Sequence, residues 1–196
     1  MVKKIALLAV LALALPMAAF ASSIGFTNSG GTLSGGAGGF TLTGSTLIKV
    51  GGVVGSNLGT LSFTTGAFIS GDAQTGGILA PGGTFTITGN GTNGVPNGVI
   101  FSGTFSSVSP VRWTMIGPGP NGSNNYELSG AIISASGQAG ATVQLTVATG
   151  KGLFNGSIGL ESGDTSLSVP EPGTLSLLGT GLIGLAGVIR RKLSLS

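Results

Sequence analysis

The chain is 196 residues long, carries only 7% charged residues and 39 glycines, and contains neither cysteine nor histidine. Those two absences exclude disulfides, thiolate nucleophiles, imidazole bases and the usual zinc, copper and haem ligands. The formal charge of +3 is concentrated at the ends, on Lys3 and Lys4 and on Arg190, Arg191 and Lys192, so the body has no basic patch for nucleic acid.

A mean hydropathy of +0.54 argues against intrinsic disorder, which comes with high charge and few apolar residues. The length suggests one folded domain between two short terminal segments.

At the N-terminus, MVKKIALLAVLALALPMAAFASS has the parts of a secretory signal. Lys3 and Lys4 form the basic start, Ile5 to Leu15 the apolar stretch, and Pro16 breaks the helix. Ala19 and Ala21 present the small side chains that fit the shallow pockets of signal peptidase. Cleavage is expected between Ala21 and Ser22, making residues 1–21 a signal peptide.

From Ser22 to Ser168 the periodicity is mostly two. Thr84–Thr88, Val111–Met115 and Thr142–Val147 alternate strictly, which puts apolar groups on one face of a sheet and polar groups on the other. Further strands are expected at Gly39–Thr43, Thr46–Val50, Thr60–Thr64, Val99–Ser106, Tyr126–Ser134 and Leu153–Leu160. Asn-Gly pairs at Asn90, Asn93, Asn97, Asn121 and Asn155 supply the backbone angles of tight turns, and Ile78–Gly83 and Pro118–Gly122 read as loops.

Short strands between turn signals predict an all-β, antiparallel β-sandwich, flanked by the signal helix and a C-terminal transmembrane helix. A β-solenoid is the alternative, but related phrases such as GTLSFTTG and GGTFTITG recur without a fixed period. The expected core is Phe63, Phe85, Phe101, Phe105, Trp113, Leu128, Ile132, Val143, Leu145 and Val147.

The chemistry available to the body is narrow. Its carboxylates are Asp72, Glu127, Glu161 and Asp164, and none sits in a catalytic motif, so no enzyme and no cofactor are expected. Glu161–Asp164 and Gly71–Gln74 are acidic turns without the spacing of a calcium loop. Asn90, Asn121 and Asn155 stand in glycosylation sequons but are read as turns. Trp113 and Tyr126 are the two side chains able to stack on a sugar, although a lone Trp in an alternating strand is more often core.

The C-terminus reads VPEPGTLSLLGTGLIGLAGVIRRKLSLS. Val169 precedes Pro170-Glu171-Pro172, whose prolines hold the backbone extended and withhold two amide donors. The apolar run Thr174–Ile189 reaches roughly 24 Å as a helix, against a hydrocarbon core of about 30 Å. Arg190, Arg191 and Lys192 can snorkel to the interface, and by the positive-inside rule that end stays cytoplasmic.

In order and spacing, the Val169–Pro172 motif, the glycine-rich helix 174–189 and the basic stop resemble the PEP-CTERM protein-sorting domain, here placed at 169–193. The resemblance implies recognition by exosortase, a membrane-embedded transpeptidase that cuts near the Pro-Glu-Pro and discards the helix. It also implies a Gram-negative host that makes exopolysaccharide. The expectation is therefore an exported, non-enzymatic surface or matrix protein. Its partners would be signal peptidase, an exosortase, the membrane and exopolysaccharide. The competing reading is an exported carbohydrate-binding or carbohydrate-active module.

Overall fold

A computed structural model describes residues 23–118, 124–135, 140–150 and 152–168. Within them lie fourteen strands: β1 (Ser23–Ser29), β2 (Thr32–Gly36), β3 (Gly39–Val50), β4 (Val53–Val54), β5 (Gly59–Thr64), β6 (Phe68–Asp72) and β7 (Gly76–Leu79). The remainder are β8 (Gly82–Asn90), β9 (Asn97–Phe105), β10 (Val111–Pro118), β11 (Asn124–Ser134), β12 (Gly140–Ala148), β13 (Ser157–Gly159) and β14 (Ser162–Ser168). The expected signal peptide 1–21 and the expected sorting segment 169–193, with both of their expected helices, fall outside the described residues.

Eight strands form a closed antiparallel barrel, and around the wall they follow chain order: β1, β3, β5, β8, β9, β11, β12, β14 and back to β1. The other six are excursions between wall strands. β10, β7 and β6 extend the sheet outward from β11, while β2, β13 and β4 attach along β3. The β-class reading holds, but the two-sheet sandwich is replaced by a barrel. Period-two alternation is identical in the two architectures; what separates them is whether the first and last strands meet. The solenoid fails too, because every strand pair is antiparallel.

Alternation sets the inside and outside of the wall. All ten expected core residues are buried. Outward positions are largely hydroxyls: Thr60, Ser62 and Thr64 on β5 stand opposite Thr88, Thr86 and Thr84 on β8. The Thr64 and Thr84 hydroxyls meet at 3.0 Å, a cross-strand pair that ties the two strands at their ends. Apolar inside and hydroxylated outside is the inverse of a membrane-spanning barrel, whose apolar side chains face lipid.

Two long wall strands change partner along one edge. β3 pairs β2 over Gly39–Thr43 and β1 over Thr46–Val50, with a register shift on its other edge between Leu42 and Ser45. β11 pairs β10 over Asn124–Ser129 and β9 over Ile132–Ser134. At that fork stands Gly130, where a Cβ would come within 3.2 Å of both Phe105 and Val111. The glycine lets two strands converge on one edge.

The seam between β1 and β14 is built differently from the rest of the interior. Its register runs from Ser23 opposite Ser168 to Ser29 opposite Ser162. Inward, Phe26 faces Thr165 and Asn28 faces Gly163. Asn28 Nδ2 donates to Ser45 Oγ at 2.7 Å, while Asn28 Oδ1 and the Thr165 hydroxyl are buried without a hydrogen-bond partner. Gly163 makes room for this packing, since a Cβ there would collide with the Leu145 methyl and stand 2.7 Å from Asn28 Oδ1.

Two substitutions at the seam are expected to move stability in opposite directions. Thr165→Val keeps the shape and removes an unpaired buried hydroxyl, and should stabilise by about 1 kcal/mol. Gly163→Ala overpacks the seam and should cost about 1–3 kcal/mol. Urea unfolding of the two variants beside the wild type measures both. A midpoint for Thr165→Val below wild type would mean that the hydroxyl is satisfied in solution.

Candidate functional site

The ends of the barrel bear directly on processing. Ser23, the first wall residue, pairs with Ser168, the last, so the two chain ends leave the wall side by side. β14 is hydrogen-bonded on both edges, to β1 and β12, up to Ser168. Val169 follows at once, and the prolines at 170 and 172 lack the amide hydrogens a ladder requires. Ala19, Ala21, Val169, Pro170, Glu171, Pro172, Arg190, Arg191 and Lys192 lie outside the described residues.

Trp113 and Tyr126 are not open to a ligand. They are 1% and 0% exposed and stack on each other at 5.0 Å with an 8° interplanar angle. Phe40 and Phe154 close over Trp113 at 4.6 and 5.7 Å, and Phe68 packs on Phe40 at 5.6 Å. Trp113 Nε1–H donates to the Ala73 carbonyl at 2.9 Å, and the Tyr126 hydroxyl donates to the Gln74 carbonyl at 2.7 Å. The proposed sugar platform is thus a second core, between the barrel wall and the β6–β7–β10 extension. Its polar tips are satisfied by consecutive carbonyls of the β6–β7 turn.

That turn is held by Asp72. Its Oδ1 accepts hydrogen bonds from the Thr75 backbone N–H at 2.7 Å, the Thr75 hydroxyl at 2.8 Å and the Gln74 backbone N–H at 2.9 Å. The Thr75 backbone bond is the main cause that draws the Asp72 carboxyl below the ordinary aspartate value of 3.8, with the Thr75 hydroxyl and Gln74 N–H adding to it. The acidic turn Gly71–Gln74 is therefore a structural turn. Glu161–Asp164 is not a turn, because Ser162, Gly163 and Asp164 belong to β14. Among the described residues no group of acidic side chains is arranged to hold a metal ion.

The remaining polar side chains assemble where the sequence offered no motif. Strand register aligns Lys49, Thr27, Asp164, Gln144, Ser129 and Arg112 in one row across β3, β1, β14, β12, β11 and β10. Glu127 stands two residues along β11 from Ser129. Together they line an open depression of about 620 Å³ on the outer face, with Ser109 and Pro110 at its rim beside β10. The body contains seven charged residues, and four of them are here: Lys49, Arg112, Glu127 and Asp164.

The carboxylates and the cations of this depression are treated differently. Thr27 Oγ1 donates to Asp164 Oδ1 at 2.8 Å, and Gln144 Nε2 donates to Glu127 Oε2 at 2.8 Å. Each carboxylate is thus steadied by a neutral neighbour. Lys49 and Arg112 are exposed and have no hydrogen-bond or ion-pair partner among the described residues. Alternation alone puts each of these side chains outside, in TLIKV, VRWTM and TVQLTV. Only the register shows that they meet.

Residues 168–192 match the family model of the PEP-CTERM protein-sorting motif. The match implies an exported precursor, anchored in the membrane and handed to an exosortase, which is a membrane enzyme. No curated protein and no solved structure matches the chain.

The Asp72 turn generates a pH dependence with a definite sign. A carboxyl whose folded pKa is depressed adds stability above its unfolded value, and that stability drains away as pH falls through the folded value. Trp113 is the only tryptophan and its indole N–H is bonded to this turn, so its fluorescence reports the melt. Thermal melts stepped downward from pH 3.8 should show wild type losing stability. Asp72→Asn, which keeps an acceptor oxygen but cannot titrate, should lose less across that window. Parallel curves for the two proteins would contradict this assignment.

Proposed function

We propose that this chain is a non-catalytic exported cargo: its barrel is released from both terminal segments and resides at the cell surface or in the exopolysaccharide matrix of a Gram-negative host. The carrying observation is the placement of the barrel ends. The wall begins at Ser23 and closes at Ser168. Signal-peptidase cleavage after Ala21 and exosortase cleavage near Pro170–Pro172 would then flank the folded unit without removing a residue of any strand.

Several features support a passive role for the barrel. The interior is filled with side chains, as expected when eight strands close. Asp72 is committed to a turn, and the Glu127 and Asp164 carboxylates are hydrogen-bonded to Gln144 and Thr27. With no His or Cys in the chain, acid–base chemistry at neutral pH has few candidates. A hydroxyl-rich, nearly uncharged exterior suits a hydrated polysaccharide environment. A carbohydrate-binding role is the second reading. Trp113 and Tyr126 do not support it, but the polar depression on the outer wall does.

Intact mass of the protein recovered from its native host tests the processing reading. The expected wild-type species starts at Ser22 and ends near Pro170–Pro172, whereas Glu171→Ala retains its tail. A wild-type mass that still includes Ser196 would make the C-terminal segment a permanent anchor and defeat the exosortase step.

A further inference from the structure

We propose that the depression on the outer wall is a binding site for an anionic, hydroxyl-bearing polysaccharide, held by Lys49 and Arg112 at its ends and by Asp164, Gln144 and Glu127 between them. The proposal rests on the exopolysaccharide reading above and gives it a site.

The argument begins with how the few charges of the body are spent. Four of seven lie in one depression. Chance scatter over fourteen strands, or a need for solubility, would spread them. Lys49 and Arg112 occupy the same register row as Asp164. Even so, neither cation has an ion-pair partner among the described residues, and the carboxylates bond to Thr27 and Gln144 instead. With Asp164 and Glu127 beside them the depression is neutral overall, so the cations offer two separated anion contacts rather than a positive field.

The spacing favours a polymer over a small ion. Lys49 and Arg112 are separated by five interstrand steps, roughly 24 Å along the wall at about 4.8 Å per step. A single phosphate or carboxylate cannot bridge them, but a chain of sugar rings carrying repeated carboxylates can. Between the cations the depression presents acceptors on Asp164 and Glu127 and an amide on Gln144, groups that suit the donors and acceptors of sugar hydroxyls. Its open shape admits a strand passing across the wall. No exposed aromatic is needed, because recognition here is by charge and hydrogen bonds.

Affinity electrophoresis of the full chain, purified in detergent, tests the site with polygalacturonate as the anionic probe and dextran as the neutral one. Wild type should be retarded by polygalacturonate, less so as salt is raised, and much less by dextran. The double variant Lys49→Gln/Arg112→Gln should bind about tenfold more weakly, the loss of one good charged contact or more. Both residues are exposed, so the double variant should keep its wild-type Trp113 fluorescence and melting temperature. Replacing Arg190, Arg191 and Lys192 with Gln should leave retardation in place.

The proposal is overturned if wild type ignores polygalacturonate, if dextran retards it equally, or if the double variant binds as wild type does. Sedimentation with the host's own exopolysaccharide separates this site from the reading beneath it. If wild type and double variant co-sediment equally, association stands and the site falls. If neither co-sediments while polygalacturonate still distinguishes them, the site stands and the matrix association falls.

Discussion

The pairing of β1 with β14 is the contact on which the rest of the molecule depends. An open sheet of this length would expose two rows of unpaired amides and carbonyls, a template for aggregation in any export route. Seven consecutive residue pairs from Ser23–Ser168 to Ser29–Ser162 remove both edges at once. The closure joins residues more than a hundred positions apart, so its loop-closure entropy exceeds that of the local hairpins. It is also the most polar part of the core, where Asn28, Gly163 and Thr165 stand beside the buried Phe26 and Leu167. Backbone pairing on both edges of β14, together with the burial of Phe26 and Leu167, holds the seam.

Closure also organises the surroundings of the barrel. Because β11 outruns β9, its first half is free to pair β10, and that edge supports β7 and β6 in turn. The extension needs its own apolar filling, and the Phe40, Trp113, Tyr126 and Phe154 cluster supplies it. Both large polar aromatics are capped by one turn, through the Ala73 and Gln74 carbonyls. A buried Trp or Tyr is tolerated only when its polar tip finds such a partner. The exposed Asp72 turn is thereby coupled to the centre of the second core.

A chain this poor in charge gives unusual weight to where each charge goes. The outer row runs across the seam, with Lys49 and Thr27 on one side and Asp164, Gln144 and Arg112 on the other. It exists only when the barrel is closed. The surface that the folded unit offers to its environment is therefore conditional on the same contact that makes it resistant to edge pairing. The terminal positive charges, by contrast, lie outside the barrel, three of them at the end of the chain that carries the sorting motif, and say nothing about the surface of the body.

The class of the fold, the apolar core positions and the sorting motif at the C-terminus are all legible in the amino-acid sequence. Each rests on local information: a period of two, Asn-Gly turns such as Asn93-Gly94, where both residues have positive φ, and a contiguous Val-Pro-Glu-Pro. All ten expected core residues are buried for that reason. Strands such as SIGFTNS, TLSGG and SGDTSLS are rich in Gly, Ser and Thr and carry too few apolar residues for alternation to show. Two of these form the seam, so the choice between sandwich and barrel was out of reach of pattern. Closure, the stacking of Tyr126 on Trp113 in a second core, and the alignment of Lys49, Asp164 and Arg112 come from the tertiary structure alone. All three depend on the register between distant strands, and register is set by backbone pairing and side-chain fit across the whole wall.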